Sequence, residues 1–127
     1  MKIAVCAQGE GLNAQKDQRF GRSPYFVLVD TESEAVIESI RNENVSASGG
    51  AGPQSAQLLS NRGVEAAITG NVGPKAEQAL QLAGIKVYTG AGGTVDETIR
   101  KFKEGALKPV SGATVPGHFG TRKRSGQ

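Results

Sequence analysis

From Gly49 to Gly105 the chain repeats one pattern three times: a Gly-rich stretch, a helix-sized segment, and a glycine that ends it. Gly50-Ala51-Gly52-Pro53 leads into a segment through Arg62 that Gly63 closes. Gly70-Asn71-Val72-Gly73-Pro74 leads into a second, with Ala76, Ala79, Leu80 and Ala83 on one face and Gly84 at its end. Gly90-Ala91-Gly92-Gly93 leads into a third, where Thr94 and Glu97 have the spacing of a capping box and Gly105 follows Lys103. Proline suits the first helical turn and glycine the position just past the last. Short apolar runs, Ala66-Ala67-Ile68 and Ile85 to Tyr88, separate these helices. Strands joined through single helices run parallel with right-handed crossovers, so this half of the chain must build a parallel sheet.

The first half adds three strands. Ile3 to Ala7 is nearly all apolar and reads as buried on both faces. Tyr25 to Asp30 is aromatic and β-branched. Ala35 to Arg41 alternates imperfectly, since Ile37 is off the face of Val36, Glu38 and Ile40, and so reads as an edge strand. The last two form an antiparallel hairpin. The order β-β-β-α-β-α-β-α predicts an α/β domain, a five-stranded mixed sheet with helices on both faces and the second strand running against the rest. Residues 8–23 make a long polar loop of the kind that is functional or mobile.

The 127 residues suit one domain. No apolar run approaches the roughly 18–20 residues of a membrane span. The first residues lack a signal-peptide layout, and the single Cys allows neither an internal disulfide nor a Cys-rich zinc site. The expected location is cytoplasmic. The net charge of +3 misleads: Lys108, Arg122, Lys123 and Arg124 follow Leu107 with no acid among them, leaving −1 for residues 1–107. Nucleic-acid binders usually carry a basic face on the folded body, so no nucleic-acid partner is expected. Residues 1–107 are expected to be the domain and 108–127 a flexible basic tail.

Three helix N-termini at the carboxyl edge of the sheet would offer unpaired N–H groups and partial positive charge to an anion. Glycines there either let a ligand approach the backbone or simply make tight turns. The loop after the first strand reaches the same edge with Arg19-Phe20-Gly21-Arg22, whose guanidinium groups either bind an anion or lie solvated. Asn42 and Asn44 read as turn residues, with amide donation as the alternative. Cys6, near the end of a buried strand, is a small hydrophobe or, less readily, a metal ligand. His118, between Gly117 and Phe119 in the tail, can ligate metal only with partners that the sequence does not reveal.

Catalytic patterns are missing. No Gly-x-x-x-x-Gly-Lys-Ser/Thr occurs, Gly90-x-Gly92 is not a dinucleotide fingerprint, and nucleophile–base chemistry would have to use the one His. The expected topology is also that of ribonuclease H, but the first strand carries no carboxylate for a two-metal nuclease.

Several stretches together resemble the dinitrogenase iron–molybdenum cofactor biosynthesis family. They are Met1 to Val5, Phe20-Gly21-Arg22-Ser23-Pro24-Tyr25-Phe26, Val29-Asp30, Gly49-Gly50-Ala51-Gly52, Gly63-Val64, Gly70-Asn71-Val72-Gly73-Pro74-Lys75-Ala76 and Gly84 to Tyr88. The family includes NifX-like cofactor carriers, the C-terminal part of some NifB proteins, and small orange proteins holding a molybdenum–copper sulfide cluster. The resemblance runs from Met1 to about Leu107. It implies a ribonuclease H-like three-layer fold with sheet order 3-2-1-4-5. It implies a carrier or scaffold for a preformed anionic metal–sulfur cluster of molybdenum–iron or molybdenum–copper type, without turnover, with donor and acceptor proteins as partners. Carried over by motif, the cluster would meet Arg19, Phe20, Gly21, Arg22, Gly49, Gly50, Ala51, Gly52, Gly70, Asn71, Val72, Gly73 and Pro74. Neither Cys6 nor His118 matches a ligand of the family pattern. The alternative is a regulatory or interaction module that binds a small phosphorylated ligand or a protein partner in the same crevice.

Overall fold

The computed structural model describes residues 1–43, 51–90 and 93–110. Its elements are β1 (Lys2–Ala7), β2 (Tyr25–Asp30), β3 (Ala35–Arg41), α1 (Ala51–Asn61), β4 (Ala66–Ile68), α2 (Pro74–Leu82), β5 (Lys86–Thr89), α3 (Val95–Lys103) and β6 (Lys108–Val110). They form one mixed sheet in the order β3-β2-β1-β4-β5-β6. β1 pairs antiparallel with β2 and parallel with β4, and β4 is parallel to β5. β3 is antiparallel to β2 and so runs with β1.

The sheet has six strands where five were expected. Lys108–Val110, expected to open the tail, pairs antiparallel with β5, setting Val110 opposite Val87 and Lys108 opposite Thr89. Three residues containing Pro109 carry too little period to read as a strand. A proline at that place is tolerable because its missing N–H falls on an edge strand. Gly49, Gly50, Asn44, Ala91, Gly92, His118 and the tail beyond Val110 lie outside the described residues.

Alternation along the central strands sorts the core into two clusters. Ala4, Cys6, Phe26, Leu28 and Ala67 face one side, where Ala56 and Leu59 of α1 and Ala76 and Leu80 of α2 cover them. Ile3, Val5, Val27, Val29, Ala66 and Ile68 face the other, under Val95 and Ile99 of α3. Helices therefore cover both faces, which is why β1 reads as uniformly apolar. At the edge, β3 breaks register opposite Leu28/Val29, and Ile37 stands 48% exposed. This irregularity is the physical form of the imperfect alternation, and it blunts an edge that would otherwise invite pairing.

All three helices end alike. The N–H groups of Val64, Ile85 and Ala106 reach back to the carbonyls of Leu59, Leu80 and Lys101, across glycines at φ of +75°. This is the double-bonded helix end that a left-handed glycine permits. Each next segment then leaves in a fixed direction, which puts the helix starts on the carboxyl edge of the parallel strands.

Candidate functional site

The carboxyl ends of β1, β3, β4 and β5 lie on one edge, and the loop of residues 8–24 folds back across it. Short bridges join Ala7 to Lys16, Gln15 to Thr94 and Arg19 to Asn71. Backbone bonds from Asp17 N–H to the Cys6 carbonyl (2.8 Å), Lys16 N–H to Gly93 (2.9 Å), Asn71 N–H to Gln18 (2.6 Å) and Phe20 N–H to Asn71 (3.2 Å) fix its course. The loop is thus a pinned strap rather than a mobile one.

This strap changes the expected three-helix crevice. The first N–H groups of α3 are already taken: Val95 donates to the Ala14 carbonyl and Asp96 to Leu12, both at 2.9 Å. Glu97 N–H donates to Thr94 Oγ1 while the Glu97 carboxylate accepts from Thr94 N–H, the expected capping box. The α3 start is therefore closed to a ligand. α1 and α2 differ. Gly73 begins α2 with no side-chain cap, its first turn carries Lys75 and Glu77, and the first turn of α1 carries no acidic residue. The two starts meet: a Cβ on Gly52 would lie 2.6 Å from the Ala76 Cβ. Helix starts attract anions, and Glu77 in the first turn of α2 offsets part of that positive end.

Two of these glycines serve the fold by close approach. Gly52 exists for helix contact. A Cβ on Gly70 would lie 1.8 Å from Gln18 Oε1 and 2.9 Å from the Gln18 Cα, so Gly70 admits the strap.

The remaining expected residues divide by placement. Arg19 is exposed, and its guanidinium is held by the Asp17 carboxylate, Nε to Oδ1 and Nη2 to Oδ2 at 3.3 Å, with Arg19 N–H donating to Oδ1 at 2.8 Å. The Asp17 carboxylate raises the Arg19 pKa above its ordinary value. Arg22 is exposed, as are Asn71 and Pro74. Phe20 is buried and meets the Phe26 ring at 5.6 Å between centroids, and Val72 is buried in the same cluster. Both anchor the loops to the core. Gly21 accepts at its carbonyl from Asn42 Nδ2 (3.1 Å), which also reaches the Ser23 carbonyl (2.8 Å). Asn42 is therefore a buried staple of the strap, more than a turn residue. Ser23 Oγ lies 3.1 Å from the Ala7 carbonyl and 2.7 Å from that of Tyr25.

Cys6 is buried in the α1/α2-side core, and burial pushes its thiol up to about 12. Metal ligation needs the thiolate, so Cys6 is a poor ligand at neutral pH. Among the described residues no group of three or more His, Cys, Asp or Glu is placed to hold a metal ion. No helix among them is long and apolar enough to cross a membrane.

The burial of Lys16 and Asp17 was not legible in the sequence. They are 5% and 2% exposed, and burial pushes the Lys16 pKa down. Their loop has no periodicity, so nothing in the sequence marks which charged residues turn inward. Ser55 in α1, fully buried, was likewise unmarked. Two open hollows lie elsewhere. One of about 540 Å³ runs between α2, β5 and β6, and one of about 360 Å³ lies at Gln8 to Gln15. The first contains none of the expected residues, and neither do the residues lining the second.

The described residues form an α/β domain with a strapped carboxyl edge on which the starts of α1 and α2 adjoin. The chain belongs to the dinitrogenase iron–molybdenum cofactor family, whose model matches residues 1–105. The apo form of the orange protein from Desulfovibrio gigas is 41% identical, with a TM-score of 0.86 over 90% of this chain and 96% of that one. A candidate NifB protein from Thermotoga, solved by NMR, is 39% identical with a TM-score of 0.79 over 90% of this chain and 97% of that one. An uncharacterised protein of Methanocaldococcus jannaschii is 36% identical over 110 residues, covering 85% of this chain and 90% of the relative.

Proposed function

We propose that this protein is a non-catalytic carrier for an anionic metal–sulfur cluster of molybdenum–iron or molybdenum–copper sulfide type, taken from one protein and passed to another. The observation that carries the reading is the junction of the α1 and α2 starts at Gly52 and Ala76, with no side-chain cap at Gly73. A cluster with several negative charges spread over sulfides is a diffuse acceptor. Backbone N–H groups and a forked guanidinium can hold it without thiolate or imidazole bonds to the metal. Such binding is reversible, as cargo delivery requires. Arg19 fits the role because Asp17 fixes one side of its guanidinium while the side chain stays 61% exposed. Arg22, also exposed, lies three residues along the same strap. Membership of the family and likeness to the orange protein support a metal cluster as the cargo.

The test is anaerobic. The apo-protein is mixed with tetrathiomolybdate, alone and with Cu or Fe, desalted, and assayed for metal and visible absorbance. A coloured stoichiometric species is expected, and a folded Arg19→Ala/Arg22→Ala protein should retain less of it. Full retention by that double variant would remove the arginines from the site. Paired helix starts also suit a phosphate group. Colourless protein that takes up no metal but is thermally stabilised by phosphorylated ligands would favour a regulatory or interaction module instead.

A further inference from the structure

The hollow of about 540 Å³ beside α2 lies at the edge of the fold, between that helix and the pair β5–β6. Its lining includes Glu77, Gln81, Ile85, Val87, Pro109 and Val110. Three of these are apolar and belong to the α1/α2-side core: Ile85 and Val87 are buried in it and Val110 packs against it. The cause of the hollow is a mismatch of layers. The sheet has six strands, while two helices cover this face in the described residues, so the outermost strand extends past their cover. Glu77 is the acid of the lining, and it makes no ion pair among the described residues.

The chain leaves the fold from the wall of this hollow. β6 is antiparallel to β5, with Lys108 opposite Thr89 and Val110 opposite Val87. It therefore travels toward the start of β5, where Gly84 ends α2. Val110 is the last described residue, and residues 111–127 follow it. A chain that reverses there and runs back along the hollow passes from the end of α2 toward Glu77 in its first turn. α2 has nine residues, a length of roughly 13 Å that about four extended residues cover.

The sequence after Val110 suits that return. Ser111-Gly112 is a turn pair. Val115 and Phe119 are its large apolar residues, and Pro116 between them favours an extended chain that asks for no backbone donor at that point. Arg122-Lys123-Arg124 comes next, with no acid anywhere from Ser111 to Gln127. The order along the segment is thus apolar, then basic. The order along the hollow, from Val110 to the start of α2, is apolar, then acidic.

We propose that the hollow between α2 and β6 is the docking site of this chain's own C-terminal segment, with Val115 and Phe119 seated on Ile85, Val87 and Val110 and the basic triplet beside Glu77. The proposal does not depend on what the protein carries.

The test uses the full-length chain with a nitroxide on Gly120→Cys. Native Cys6 is buried and stays unlabelled in the folded protein. Paramagnetic broadening is read on the backbone amides. Those of Gln81, Ile85 and Val87 should lose most of their intensity, while those of β3, at the far edge of the sheet, keep it. The same labelled chain with Val115→Ser and Phe119→Ser should recover the intensity in the hollow and leave the rest of the spectrum unchanged. Broadening without preference for the hollow, or broadening that the two serines do not relieve, would overturn the proposal. A mixture of nitroxide-bearing chains with isotope-labelled chains lacking the nitroxide reads contacts between molecules. Loss of the hollow's signals only in that mixture would reject self-docking and assign the hollow to a second copy.

Discussion

Single residues in this protein serve close approach more than chemistry. Gly52 lets α1 lie against α2, and there is no room for a methyl group between two helix backbones. Gly52→Ala should cost about 1–3 kcal/mol of stability, read by denaturant unfolding, because the clash is with Ala76 Cβ and neither helix can yield freely. It should also weaken anion binding by separating the two helix starts. Cys6 makes a different prediction. In the unfolded chain its thiol ionises near 9.0, and in the folded protein burial holds the proton until about 12. Between those values the unfolded state binds fewer protons, so stability falls as pH rises through that window. The effect is absent below pH 9. Cys6→Ala, destabilised overall by its cavity, should lack this part of the alkaline loss when its unfolding is compared with wild type from pH 8 to 11. A thiol reagent should label native Cys6 only as fast as the protein opens.

At the scale of elements, the strap of residues 8–24 closes the start of α3. It spends the Ala14 and Leu12 carbonyls on α3 and leaves α1 and α2 without such partners among the described residues. Thr94 completes the closure of α3. Thr94→Ala should cost about 1 kcal/mol in thermal or chemical unfolding, the usual value of a helix cap, and leave anion binding unchanged. A loss of binding in that variant would return α3 to the site. The ion pairs on this surface contribute little by comparison. Arg100–Asp96 at 2.7 Å and Lys103–Glu34 at 2.6 Å join exposed side chains that water and salt screen.

For the whole molecule, the notable addition is the sixth strand. β6 gives β5 a second neighbour and puts Val110 against the α1/α2-side core. Ending the chain after Leu107 should therefore leave a folded protein with a bare β5 edge. Amide exchange at Val87 and Thr89 should accelerate, while β1, between two intact neighbours, keeps its protection. Unaltered exchange in β5 would place the boundary of the folded unit at Leu107 after all.

The sequence by itself determined the elements and their connection. Gly-Pro starts, left-handed glycine ends and a capping box are local signals, and each acts through backbone torsion or a bond a few residues away. The parallel core follows from them because strand–helix–strand units have one favoured hand. The family motifs extended that reading to the family whose model matches residues 1–105. The inward turn of Lys16 and Asp17, the stapling role of Asn42 and the closure of α3 were decided only by tertiary structure. Each depends on a strand or strap many residues distant. No periodicity in a polar loop records which side will meet a protein surface. The three-residue β6 was hidden for the same reason: what makes it a strand is the free edge of β5, which exists only once the sheet has formed.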